Sequence, residues 1–237
     1  MIELFAAIAQ ILGFALQVSE HLKPAQRNTP VVFQGLLALS SVSKSWKGMH
    51  SQYHPLNKQA QSIVYEISEY RNGLYIPKSV EEVAPNELRK RFFDNIINDA
   101  VANFEHNTRK EIKDIKRSLS ADQEWFQDAM QKIRVHDPSL ASDFEELAEL
   151  KDDALLIHTR FIRFLSGVRG LMAKPRWGEL EVNYILDHRS VLTTDLSQMI
   201  YVTDKVLMGF LDVYIKLVSE YGRSAGIPTP QPRGVDN

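Results

Sequence analysis

Three groups of side chains have the types and spacing from which chemistry can be built. His136 and Asp137 are adjacent, an imidazole and a carboxylate that can both ligate a metal. Ser41 and Lys44 stand at the Ser-x-x-Lys spacing, at which an amine can activate a hydroxyl for acyl transfer. Glu146, Glu149 and Asp153 share one face of any helix drawn through them, and gathered carboxylates can hold a cation. Each group also has a plainer reading. Pro138 disfavours helical geometry at Asp137, which then serves as the N-cap of the helix that follows. The Ser-x-x-Lys pair has no companion motif. Glu-x-x-His, which carboxylate di-metal bundles require, occurs nowhere in the chain, so the three acids read as a solvated face near a helix start.

The His136-Asp137 pair resembles the signature of HD phosphohydrolases. That resemblance implies a metal phosphohydrolase in which His106, with Asp195 or Asp204, supplies the outer ligands. The family presents its pair from within a helical scaffold, whereas here a proline follows directly. His106, His136 and Asp137 are therefore weak metal candidates, and no catalytic or cofactor-binding residue is assigned. No Walker loop, dinucleotide fingerprint, Gly-x-Ser-x-Gly or His-Glu-x-x-His is present. With no cysteine, thiolate catalysis, disulfides and Cys-ligated metal are excluded. Catalysis has no positive support from motif, and no cofactor is expected.

The elements that must position these residues are helices. No glycine falls between Gly73 and Gly167, and no proline between Pro85 and Pro138 or between Pro175 and Pro228. Proline inside a helix costs about 3 kcal/mol and glycine about 1 kcal/mol, so these gaps leave room for long helices. The pattern predicts helices over Ile2–Leu22, Pro30–Tyr53 (ended by Pro55), Asn57–Asn72 (capped by Asn57) and Pro85–Leu119. Further helices are predicted over Ala121–Val135 (capping box Ser120/Gln123), Pro138–Met172 and Glu179–Tyr221, the last kinked near Asp187 to Ser190. The wholly polar stretch Glu105 to Glu111 is expected to be solvated all round, bent or interrupted.

Leu140, Phe144, Leu147, Lys151, Ala154, His158, Phe161, Leu165, Val168 and Met172 keep a 3-4 spacing, a coiled-coil-like seam with Lys151 and His158 as polar intruders. Leu192, Leu196, Met199, Thr203, Val206, Phe210, Val213 and Leu217 repeat it. His158 reads as a neutral core histidine bonded to a partner helix, and with a carboxylate nearby it would be a pH-sensitive joint. The fold expected is all-α, a single elongated antiparallel bundle of about six or seven helices over residues 1–225. A proline-rich polar tail, 226–237, is expected to be disordered.

The formal net charge is −2, so no global basic field favours nucleic acid. Charge is nonetheless uneven. Asp137 to Asp153 holds seven acids and one base, and Arg160 to Arg176 holds five bases (Arg160, Arg163, Arg169, Lys174, Arg176) and no acid. Helix-dipole complementarity accounts for that order. The bases also interleave with Phe161, Ile162, Phe164, Leu165 and Val168, a basic amphipathic segment suited to anionic lipid or an acidic partner. Further bases cluster at Arg89 to Arg91 and Arg109 to Arg117, where Asp94, Asp99, Glu111 and Asp114 argue against a continuous stripe.

The first predicted helix, IELFAAIAQILGFALQVSEHL, is apolar except for a narrow stripe through Glu3, Gln10 and Gln17. Glu3 stands where a signal peptide carries positive charge, and Gln17, Glu20 and His21 interrupt the run before it could span a bilayer. An apolar first helix ahead of a helical bundle resembles HeLo-type domains, over 21 of the 237 residues. The resemblance implies a first helix that inserts into membranes. The function expected is a non-catalytic interaction or scaffold protein that binds a protein partner, or a second copy of itself, through a helix face. The alternative is a membrane-associating effector working through residues 2–22, with Phe5, Ile8 and Leu12, and through the five bases of 160–176. An HD-type metal phosphohydrolase is the minor alternative. The expected location is cytoplasmic or peripheral at a membrane.

Overall fold

In the computed structural model the described residues are 2–12, 31–71, 86, 89, 90, 103–120 and 123–221. They are all-helical, with no strand among them, and the helices pack as a bundle. In chain order the helices are α1 (Ile2–Ile11), α2 (Val31–Arg71), α3 (Phe104–Arg117), α4 (Glu124–His136), α5 (Pro138–Met172) and α6 (Glu179–Asp187). A π-helical turn (Val191–Asp195) then leads into α7 (Leu196–Tyr221). The second half of the predicted first helix, the connector after Gly73, most of the stretch before Phe104 and the C-terminal tail lie outside the described residues.

α5 matches its predicted bounds. It starts as expected, with the Asp137 carboxylate accepting the Leu140 N–H at 2.9 Å, an N-cap bond. Two other predicted boundaries are corrected. Pro55 does not end a helix: α2 runs through it, and Pro55 itself is exposed. Met49, Tyr53, Leu56 and Ala60 form one buried stripe on both sides of it. Burial of such side chains, at about 1.5–3 kcal/mol for each large one, outweighs the missing N–H. Asn57 is accordingly no cap, and its side-chain oxygen accepts from the Ser197 hydroxyl at 3.1 Å. The Ser120/Gln123 capping box is also absent. The Ser120 hydroxyl donates back to the Lys116 carbonyl, and Gln123 caps α4 without a side-chain bond to the backbone. The break foreseen near Asp187 to Ser190 is present between α6 and the π-helical turn.

The chain forms two compact units: unit 1 (residues 1–46, 114–151 and 205–237) and unit 2 (47–113 and 152–204). In unit 1, α1 packs on α4, and Leu4, Ile8, Ile11 and Leu12 are enclosed. Leu119 fixes the end of α1. Its backbone is left-handed (φ 51°), its N–H donates to the Ile11 carbonyl at 2.9 Å, and its own carbonyl accepts from the buried Lys151 ammonium. One polar intruder on the α5 seam is thus an interior backbone ligand. Unit 2 is built round an aromatic cluster. Tyr53 and Phe161 each meet Phe104 edge-on, and Phe164 stacks on Tyr184.

Candidate functional site

The residues singled out for chemistry do not converge. Ser41 and Lys44 are both exposed on α2. His106 is exposed in unit 2, His136 is exposed in unit 1, and Asp137 is engaged as the cap of α5. Glu146, Glu149 and Asp153 are exposed on α5. Among the described residues no group of three or more His, Asp and Glu side chains could hold a metal ion.

His158 sits where its seam position puts it. Its Nδ1 is 2.8 Å from the hydroxyl of the fully buried Tyr53, and its ring stacks on Phe104. Burial first, and the Asp195 carboxylate second, push the Tyr53 phenol well above its ordinary range. Asp195, at the end of the π-helical turn, is itself engaged by Arg160 at 3.3 Å. This network joins α2, α5 and the π-helical turn from within unit 2, and the position of its phenol, sealed from solvent, suits a structural role.

A cavity of about 170 Å³ opens between α5 and α7 in unit 1. Asp143, Glu146 and Asp212 supply its carboxylates, and Leu147, Leu150 and Met208 its apolar wall. Asp143 is ion-paired with Lys216. Lys205 and Gly209 complete the lining, which includes no histidine, serine or threonine.

The outer face of α7 carries an apolar strip, with Asp204, Lys205 and Asp212 exposed beside it. Met208 (57% exposed), Leu211 (48%) and Ile215 (49%) recur at i, i+3 and i+7, and Tyr214 flanks them at 38%. The opposite face, Val206, Phe210, Val213 and Leu217, is fully buried, as the seam predicts. The outer strip is missing from the sequence reading because one helix carries two apolar faces and the seam absorbs the periodic signal. The same 3-4 spacing at positions 208, 211 and 215 was the available clue.

Of the five bases of segment 160–176, three are neutralised within unit 2. Arg160 meets Asp195, Arg169 meets Glu105 at 3.3 Å, and Lys174 meets Glu181. The bond from Lys174, with one from the Gly178 N–H, holds the Glu181 carboxyl below the ordinary carboxylate range. Arg163 and Arg176 are exposed and not ion-paired among the described residues. On α1, Ile8 and Leu12 are fully enclosed, so they reach a partner or a lipid only if unit 1 opens. The Phe5 side chain lies outside the described residues. No helix among the described residues is long and apolar enough to cross a membrane.

α3 departs from expectation. The polar stretch Glu105 to Glu111 is not interrupted, and it is not solvated all round, since Thr108 is buried in it. Glu111 and Asp114 turn away from the bases, while Glu105 stands at the edge of their face. Glu111 is half-buried against Gly48, and Asp114 accepts from the Ser45 hydroxyl at 3.4 Å. At 100° per residue, Arg109, Lys110, Lys113, Lys116 and Arg117 share an arc of about 120°. All five are exposed, and none is ion-paired among the described residues. Lys113 has like charges at i−4, i−3, i+3 and i+4, and each such pair costs a helix about 0.2–0.5 kcal/mol. Against known proteins, the chain matches no family model, no curated protein and no solved structure.

Proposed function

We propose that this chain is a non-catalytic helical interaction protein that docks a protein partner through the outer face of α7. One observation carries the reading: Met208, Leu211 and Ile215 form a helical strip about half exposed, backed by a fully buried face on the same helix. Contiguous exposed apolar surface is costly in water and marks contact sites.

The test compares the intact chain with a Met208→Ser/Leu211→Ser variant. Both positions are exposed, so the fold and the melting temperature are expected to hold. The intact chain is expected to recover a stable protein partner, or to self-associate in light scattering, and the variant to lose it. An intact chain that stays monomeric and recovers no partner would sink the reading. Membrane association is the competing proposal. With Ile8 and Leu12 enclosed it requires unit 1 to open, and flotation of the intact protein with anionic liposomes checks it.

A further inference from the structure

We propose that the exposed face of α3 is a second docking surface, for an acidic segment of a partner protein. The inference stands on a different helix and different chemistry from the outer face of α7, so either can fail without the other. Five cations line up along about 12 Å of helix. The acids of the same helix are engaged elsewhere, Glu111 against Gly48, Asp114 onto Ser45 and Glu105 onto Arg169. Among the described residues no ion pair or side-chain hydrogen bond uses any of the five, so none there offsets the self-repulsion of the face. An external anion supplies what is missing.

The choice among anions follows from the composition of the face. It presents no exposed apolar or aromatic side chain from Arg109 to Arg117, since Ile112 is half-buried and Ile115 buried. A membrane-surface helix needs such an apolar face, and single-stranded nucleic acid needs stacking platforms. The chain as a whole is net negative, so with these five cations set aside the remainder is more acidic still. A long polynucleotide or a bilayer would extend past the small basic area and meet that remainder. An acidic helix has the same rise per residue as α3, and its carboxylates at i, i+4 and i+7 match Arg109, Lys113 and Lys116.

The test is fluorescence anisotropy at physiological salt, with the full chain titrated into a labelled helical peptide bearing Glu at that spacing. Single-stranded DNA and phosphatidylserine vesicles serve as the other arms. The peptide is expected to bind at micromolar concentration and to be released by added salt. Lys113→Glu is expected to weaken binding at least tenfold, while its melting temperature rises because four repulsions become attractions. Lys113→Gln should fall between, and Arg163→Glu, an exposed base on α5, should leave binding unchanged. No peptide binding, or equal loss with Arg163→Glu, would overturn the surface. Tighter binding of DNA or of vesicles than of the peptide would overturn the partner.

Discussion

The phenol of Tyr53 is the residue on which unit 2 turns most sharply. It is sealed from water, it bonds the His158 ring, and Asp195 adds a negative field. At neutral pH the Tyr53→Phe variant is expected to lose about 1 kcal/mol, the usual worth of one buried hydrogen bond. The alkaline limb separates this from a packing effect. The folded phenol ionises above its ordinary value of 10.0, while the unfolded one ionises near it. Stabilisation from the neutral phenol is therefore complete below pH 10 and is lost as pH climbs toward the folded value. Urea midpoints of the two proteins should converge on going from pH 8 to pH 11, and a widening gap would contradict the assignment.

At the scale of the element, α5 offers a matched pair of glycines three residues apart. A Cβ on Gly167 would lie 1.8 Å from the Tyr184 hydroxyl oxygen and 2.6 Å from its ring carbon, so the whole aromatic side chain would have to move. A Cβ on Gly170 would meet nothing within 4 Å. Gly170→Ala is expected to stabilise by about 1 kcal/mol through helix propensity alone. Gly167→Ala is expected to destabilise by about 1–3 kcal/mol through overpacking, and thermal melts of both variants check the contrast. α5 and the buried seam of α7 were legible in the sequence because proline, cap and apolar spacing agree there. The continuity of α2 was not, because burial of Tyr53 and Leu56 overrides the local signal of Pro55. The two exposed surfaces were not either. Alternating charge on α3 separates only once the helix turns, and the seam of α7 conceals its second apolar face.

For the molecule as a whole, the chain passes between unit 1 and unit 2 at four points, each inside a helix: α2, α3, α5 and α7. Helical hydrogen bonding is cooperative along each of these segments, so the units are expected to unfold together. Trp46 belongs to unit 1 and Trp177 to unit 2, and both are buried. Variants retaining only one of the two, with Trp125 also replaced, should show the same denaturant midpoint by fluorescence. Two distinct midpoints would mean that the units fold independently. The interrupted layout also has a bearing on ancestry. Neither unit corresponds to one uninterrupted run of codons, so recombination at a single pair of breakpoints cannot carry either of them intact into another gene.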